Sequence, residues 1–329
     1  MQQLPKLCDE SITLLKRCKN LLAYSAGSDS NALFTILQAY GIEFDIAIIN
    51  YKTRMQSDSE ESYAKALAKS HHKTCYSLTC KLEQSNFEHN ARVARYAFFE
   101  QIIRENGYDT LITAHHLNDK FEWFLMQLSK GAGLVELLGF EQIEERQGYK
   151  LIRPLLMTTK ENILYFLEQN NIQYFLDHTN EEQTHERNRI RAAFATPFLH
   201  QYAKGVLKSF TYLHEDATKL LPQKIYTIKE LSYVQKDMDT IKNLRAIDKM
   251  CKNMGYLLSK KQRDEITKTQ ECIIASKIAV AWGLESIFVC PHSNATMPKK
   301  FKELCRTRKI PTKIRPYLFS ADINPNELH

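Results

Sequence analysis

Two short stretches hold side chains able to act together on a phosphate-bearing substrate. The first, Ser25-Ala26-Gly27-Ser28-Asp29-Ser30, crowds three hydroxyls and one carboxylate into a small-residue turn. Hydroxyls and the free N–H groups of a helix start are ligands for phosphate oxygens, and a carboxylate beside them suits a divalent cation carried by polyphosphate. The second runs His115-His116-Leu117-Asn118-Asp119-Lys120-Phe121-Glu122. Asp119 and Glu122, three apart, are neighbours on one helix face. With no basic partner beside them on that face, they can grip Mg²⁺ or a substrate ammonium. Each stretch also has a plain reading, the first as an ordinary helix N-cap with Ser and Asp chosen for capping, the second as a capped, solvated helix start. A zinc site is a poorer fit, because H-E-x-x-H is absent and adjacent histidines seldom both ligate one metal.

The elements that position these residues follow from hydrophobic pattern. Leu21–Tyr24 is a short apolar run ahead of the turn, and Ala32, Leu33, Ile36, Leu37 and Tyr40 recur at helical spacing after it. Strand, tight turn, helix is the α/β way of building a phosphate site. Gly27 is the residue expected to take positive φ, and Ala26 suits the turn only at negative φ. Glu43–Asn50 reads as a strand with a polar exit through Arg54, Ser59–Ser70 as a helix, and Lys73–Leu78 as a third strand. Asn90–Asn106 is an amphipathic helix closed by Gly107. Thr110–Thr113 is a fourth strand, and Leu117–Lys130 a helix with Phe121, Phe124, Leu125 and Leu128 toward the core. Strands alternating with helices predict a doubly wound parallel sheet over residues 1–200. On its fourth helix Arg92 and Arg95 form either a solvated basic face or an anion contact.

Residues 201–329 are expected to form a connector helix (Gln201–Leu221, closed by Pro222) and a small α+β region. Glu265–Ala281 is mixed in period, and Ser286–Cys290 reads as a strand. Pro298–Arg315 carries eight Lys and Arg residues against one acid, Glu303, with Phe301 and Tyr317 beside them. Such a stretch can neutralise RNA phosphates and stack on bases, or be a solvated face.

A chain of 329 residues with a net charge of +7 is long enough for two or three domains and weakly favours a polyanionic partner. The eight cysteines include no C-x-x-C pair, which suits reduced thiols in a cytoplasmic protein. No apolar run reaches the ~18 residues of a membrane span, and no secretory leader is apparent. A homodimer stays open, because the sequence does not fix the oligomeric state.

The turn has neither G-x-x-x-x-G-K-[ST] nor G-x-G-x-x-G. It resembles the S-G-G-x-D-S loop of the PP-loop ATP pyrophosphatases, with Ala26 where that family prefers Gly. Further matches follow in the family's order: Ala91-Arg92…Arg95-Tyr96, Ala114-His115-His116…Asp119…Glu122, the glycine loop Ser129–Leu134, and Leu151–Leu156 before a helix at Lys160–Gln169. Asp177 and Asn180, followed by Arg187-Asn188-Arg189-Ile190-Arg191, complete the series. Together they are similar to the tRNA(Ile)-lysidine synthetase branch. Ala26, Asn50-Tyr51, Lys120 and Trp123 depart from its usual residues.

That resemblance implies an enzyme that adenylates the C2 oxygen of the wobble cytidine in tRNA(Ile) bearing a CAU anticodon. Free L-lysine then displaces AMP. ATP would lie on Ser25, Ala26, Gly27, Ser28, Asp29 and Ser30, with Mg²⁺ at Asp29 and His115 at the α-phosphate. Asp119 and Glu122 would hold lysine, and Arg95 and Arg191 would contact anions near the activated base. Arg92, Asn118 and Arg187 complete the substrate-binding set. The rivals are a PP-loop tRNA thiolase, which should carry paired cysteines, and a non-catalytic nucleotide- or tRNA-binding protein. Ligation needs the serine-rich turn and the Asp119/Glu122 face to open onto one cleft; either feature on the opposite side of the sheet, or carboxylates buried against a fixed arginine, would remove the ligase assignment.

Overall fold

The computed structural model describes residues 4–53, 56–81, 87–175, 186–220 and 224–328. Arg54, Asp177, Asn180 and Pro222 lie outside the described residues. The chain divides into two units, Met1–Leu213 and His214–His329, the division falling inside one long helix.

The first unit begins with α1 (Asp9–Leu15), β1 (Asn20–Ala23), α2 (Ser28–Ala39), β2 (Asp45–Asn50), α3 (Ser57–Ser70) and β3 (Cys75–Thr79). It continues through α4 (Phe87–Asn106), β4 (Thr110–Ile112), α5 (Leu117–Ser129), α6 (Leu134–Leu138), β5 (Ile143–Arg146), β6 (Tyr149–Ile152) and α7 (Lys160–Gln169). The helix α8 (Glu186–Ile190), a π-helical turn at Arg191–Ala195 and the long α9 (Thr196–Leu220) follow.

The sheet order is β3-β2-β1-β4-β6-β5. All pairings are parallel except the hairpin β5–β6, which the sequence reading does not anticipate. Helices cover both faces, so the central strands are apolar on both sides. Leu21, Ala47, Leu111 and Leu151 pack on Phe99, Ile102 and Ile103 of α4. Their sequence neighbours Leu22, Ile46, Ile112 and Ile152 join the opposite core with Leu33, Ile36 and Leu37 of α2. Gly107 closes α4 at φ +67°, with its N–H donated to the Ile103 carbonyl. One inward assignment fails: Leu128 is 53% exposed, because α5 outruns the core at its last turn.

β1 and β4 are adjacent, with Leu22 opposite Ile112. The turns after them, at residues 24–27 and 113–116, therefore leave the same sheet edge side by side. In a doubly wound sheet this carboxyl edge is where ligands bind.

The second unit is a five-stranded antiparallel sheet, β7 (Tyr226–Ile228), β8 (Leu231–Gln235), β9 (Glu271–Ile274), β10 (Ile278–Trp282) and β11 (Ser286–Pro291), in the order β7-β8-β11-β10-β9. Two cores flank it: Ile247, Met250 and Ile266 of α10 (Thr240–Asn253) and α11 (Lys260–Thr269) on one face, Cys305 and Leu318 of α12 (Lys299–Thr307) and α13 (Arg315–Ser320) on the other. The mixed period of Glu265–Ala281 is thus a helix end running into two short strands.

The aromatics of the basic tail are not free to stack. Tyr317 is 7% exposed within the core, and Phe301 packs on that core and on Phe319, ring centroids 5.2 Å apart. The amphipathic α12 turns its apolar residues inward and leaves its lysines outside. Among the described residues no helix is long and apolar enough to cross a membrane.

Candidate active site

The serine-rich turn is held by Asn31, one turn into α2. Its amide donates to the Ala26 carbonyl at 2.7 Å and to the Gly27 carbonyl at 3.1 Å, and its Oδ1 accepts from the buried Tyr24 hydroxyl at 2.5 Å. Ala26, not Gly27, takes the left-handed conformation: its φ is +58°, whereas Gly27 has φ −75° and ψ 173°. This reverses the sequence expectation for both residues. The reason lies in the Ala26 carbonyl, which must face both Asn31 and the Phe175 N–H, 3.0 Å away. Gly27 instead caps α2. Ser25 Oγ lies 3.1 Å from Ser30 Oγ, which donates to the Gly27 carbonyl. The first-turn N–H groups of α2 have no intrahelical acceptor and carry the positive end of its dipole. Hydroxyls, N–H groups and dipole make a phosphate cradle.

Asp29 is balanced from two directions. Lys160, the first residue of α7, donates to Asp29 Oδ1 at 2.6 Å and to Ser28 Oγ at 2.7 Å. His116 Nε2 lies 3.7 Å from Asp29 Oδ2. Burial alone would raise the Asp29 pKa, but His116 and Lys160 bring it below the usual carboxylate value. Asn118, expected to bind substrate, instead accepts the Lys160 backbone N–H at 2.9 Å and is 9% exposed. It fixes the start of α7, and with it the lysine.

His116 also caps α5. Its N–H donates to Asp119 Oδ2 at 3.0 Å, and its Nε2 lies 3.5 Å from the same carboxylate. One buried imidazole thus spans the serine-rich turn and the acidic helix, its Nδ1 without a hydrogen-bond partner among the described residues. Burial disfavours its cation, yet Asp119 and Asp29 outweigh that and raise its pKa above 6.5. Asp119 shows the reciprocal effect: burial raises its pKa, while His116, Arg187 and His115 pull it down to about 2. His115 differs. It sits 2.9 Å from Thr113 Oγ1 and packs on Phe140, and burial lowers its pKa to about 4. An imidazole neutral at pH 7 can offer a phosphate one N–H but not a full positive charge.

The acidic pair is not free of basic partners, contrary to expectation. Arg187 donates to Asp119 at 2.6 Å and to Glu122 at 2.8 Å. Arg191, one turn on, donates to both Glu122 oxygens, at 2.6 and 3.0 Å. Glu122 is fully buried, so an unpaired charge there would cost several kcal/mol. The two arginines supply the compensation and dock the segment after β6 and α7 onto α5. Of the two requirements for ligation, the turn and the acidic helix do start on the same sheet edge, both within 4 Å of His116, whereas the absence of a clamping arginine is not met.

Arg92 lies over the Tyr96 ring, 4.9 Å from its centroid, and within electrostatic reach of His115. Arg95 is on the same helix, within electrostatic reach of Tyr51. Sequence reasoning missed Lys160 and the role of His116. A signal existed for the lysine: a cation at a helix N-terminus opposes the dipole, so it must answer an anion. Among the described residues no cluster of three or more His, Cys, Asp or Glu side chains is fit to cage a metal. All eight cysteines are free thiols.

This fold and its serine-rich turn define a class: residues 2–196 match the family model described as a PP-loop domain. A U34-tRNA thiolase from Methanococcus maripaludis shares the fold, with TM-score 0.50 and 15% identity over 64% of this chain and 75% of that one. Nearer in sequence is a tRNA(Ile)-lysidine synthase from Campylobacter jejuni, 46% identical over 97% of this chain and 98% of its own length. Those of Wolinella succinogenes and Helicobacter pylori are 43% and 39% identical, over 94% and 93% of this chain and 95% and 91% of their own. The chain belongs to the tRNA(Ile)-lysidine synthase family. The clamped carboxylates, which on the sequence reading remove the ligase assignment, occur in a chain 46% identical to a tRNA(Ile)-lysidine synthase, so that criterion is wrong.

Proposed function

We propose that the protein ligates free L-lysine to C2 of the wobble cytidine of tRNA(Ile) with a CAU anticodon. It uses ATP and yields lysidine, AMP and pyrophosphate. The observation that carries this reading is His116, within 3.7 Å of Asp29 and 3.5 Å of Asp119, which supports one site shared by the serine-rich turn and the acidic helix.

The cytidine C2 oxygen attacks the α-phosphorus, the bond to the β-phosphate oxygen breaks, and pyrophosphate leaves. The N–H groups and hydroxyls of residues 25–30 hold the phosphates, and Lys160 offsets the charge gathering on the departing pyrophosphate. Mg²⁺ fits this site only as an ion shared with phosphate oxygens, because Asp29 is the carboxylate within reach of the cradle and no protein cage surrounds it. That is the usual mode for Mg²⁺, which supplies charge neutralisation at the leaving group.

In the second step an amine of lysine attacks C2, gives up a proton, and AMP departs with the C2 oxygen. Asp119 is a poor base here, held to a pKa of about 2, and Glu122 carries a guanidinium group on each of its carboxylate oxygens. Their role is to grip an ammonium. A lysine ammonium entering the site replaces one cation with another, so the buried Glu122 need not stand uncompensated as Arg187, whose side chain is 43% exposed, yields. The target base reaches the cleft by leaving its stack, which costs a few kcal/mol and less in a single-stranded loop.

The test is incubation of the protein with labelled lysine, ATP and total tRNA. Lysine label in tRNA, with one AMP and one pyrophosphate per lysine, is expected. ATP binding with no AMP formed in the presence of tRNA and lysine overturns the assignment.

A further inference from the structure

Beside the acidic pair, α5 and the start of α9 frame an apolar groove of ≈ 480 Å³ that the reaction as described leaves unused. Its walls include Phe121 and Phe124 of α5, Phe194 of the π-helical turn, and Pro197, Phe198 and Tyr202 of α9. Phe194, Phe198 and Tyr202 are 62%, 47% and 55% exposed. Three large aromatic side chains displayed within nine residues form a contiguous patch of the kind that marks a binding surface. Their rings are organised: Phe121 and Phe198 lie 5.4 Å apart at 31°, and Phe198 and Tyr202 5.0 Å apart at 53°.

Charge indicates what the patch meets. Between Arg187 and Lys208 the chain has five Lys and Arg residues and no Asp or Glu. Arg187 and Arg191 are engaged by the acidic pair, which leaves Arg189, Lys204 and Lys208 flanking the rings. Rings flanked by cations on a stretch free of carboxylates suit a single-stranded nucleic-acid path, in which bases stack on aromatic faces and phosphates meet lysine and arginine. The patch is also continuous with the catalytic cleft. Arg191, bound to Glu122, and Phe194 belong to the same π-helical turn, an irregularity that recurs at functional sites. Tyr202 departs from helical geometry as well, at φ −124° and ψ 17°.

We propose that this aromatic groove stacks the unpaired anticodon-loop bases next to the modified cytidine, holding the loop open while the target base occupies the cleft. The inference rests on the tRNA-ligase reading. It assigns Phe194, Phe198 and Tyr202 as positioning residues that act on the RNA and on neither ATP nor lysine.

The decisive experiment uses Phe194→Ala and Tyr202→Ala, whose exposure spares the fold, beside Phe194→Tyr and Tyr202→Phe. Each alanine variant should raise KM for tRNA about tenfold or more while leaving KM for ATP and lysine within twofold, and the aromatic replacements should restore it. Transcripts with 2-aminopurine beside the wobble position should be quenched on binding wild type and remain bright with Phe194→Ala. Unchanged KM for tRNA with unchanged quenching overturns the proposal. So does a fall in solution mass on Phe194→Ala with tRNA binding intact, which would make the patch a protein interface. Wild-type protein that quenches the probe but transfers no lysine would leave the groove standing and remove the ligase reading.

Discussion

Lys160 donates to Asp29 at 2.6 Å, joining the first turn of α7 to the first turn of α2. Two helix N-termini, each positive at that end, are brought together with one carboxylate and one ammonium between them. Asp29 is the anion that makes this convergence tolerable. On the proposed reading, a bound polyphosphate gives Lys160 a second anionic partner, and Asn118 and Thr159 fix the backbone from which the lysine extends.

Removing either member should separate nucleotide chemistry from lysine recognition. Asp29→Ala is expected to abolish AMP formation. Lys160→Met should slow AMP formation roughly a hundredfold, the usual size of one lost charge-stabilising donor, and Lys160→Arg should recover part of it. Pyrophosphate release in single-turnover assays reads this directly, and full turnover by Asp29→Ala would remove the nucleotide assignment.

His116 gives the cluster a defined pH signature. Its folded pKa lies above its unfolded value of 6.5, so its contribution to stability is complete below pH 6.5 and lost as pH rises through the folded pKa. Asp119, lowered from 3.8 to about 2, contributes fully above pH 3.8 and loses that contribution as pH falls toward 2. Thermal melts should therefore show greatest stability near pH 6.5: the decline on the alkaline side is traceable to His116, and the decline on the acid side begins with His115, whose folded pKa of about 4 lets the unfolded chain take up its proton first as pH falls from 6.5. His116→Gln should flatten that alkaline limb, and an unaltered limb would detach the histidine from Asp29 and Asp119.

Much of this was legible in the residue pattern, for identifiable reasons. The strands β1, β2 and β4 are buried on both faces, so they read as apolar runs, and Gly107 marks the end of α4 by its need for positive φ. The serine-rich turn and the Asp119/Glu122 face were legible because their chemistry is local in sequence. What escaped is what tertiary contact decides. The Ala26 backbone is set by Asn31 and by Phe175, from a segment some 150 residues away. The arginine clamp on Glu122 joins residues 65 and 69 positions apart. Tyr317 looked available in a basic tail, but the sheet of the second unit needed its ring as core.

Ala26 supplies a test of how much the strained turn matters. A left-handed alanine costs about 1–2 kcal/mol. Replacing it by glycine relieves that, but gives up about 0.8 kcal/mol of methyl burial and about 0.5–1 kcal/mol in chain entropy. The terms nearly cancel, so Ala26→Gly should shift Tm by no more than a few degrees and keep ATP chemistry. Ala26→Val adds a β-branched side chain at φ +58° in a fully buried position and should cost about 3 kcal/mol or more. Chemical denaturation of the two variants distinguishes a conformational requirement from a packing one.

The carboxylate pair should divide in its mutant behaviour. Asp119→Ala is expected to raise KM for lysine or halt the second step while ATP binding persists, since its partners His116 and Arg187 keep other contacts. Glu122→Ala strands Arg187 and Arg191 against a buried site and should cost about 3–5 kcal/mol, the penalty for breaking a buried ion pair. Glu122→Gln keeps the volume and some hydrogen bonding, and should fold while binding lysine poorly. Lysine dependence unchanged in both Asp119→Ala and Glu122→Gln would overturn the substrate-amine role.

Gly139 sets the position of Trp123, the residue that follows Glu122. A Cβ at Gly139 would stand 2.3 Å from Trp123 Cδ1 and 2.7 Å from Nε1, at a backbone φ of +60°. The indole cannot simply swing away, because its N–H donates to the Glu136 carbonyl at 2.9 Å and its ring packs on Phe140, which also meets His115. Gly139→Ala therefore combines left-handed strain with a clash against a held ring, and should cost about 2–3 kcal/mol. The displacement passes through Trp123 to α5 and through Phe140 to His115, so kcat should fall as well as Tm. Trp123→Phe in the Gly139→Ala background removes part of the clash and should recover stability relative to Gly139→Ala alone. A double variant no more stable than Gly139→Ala alone would show that the indole is not what the glycine accommodates.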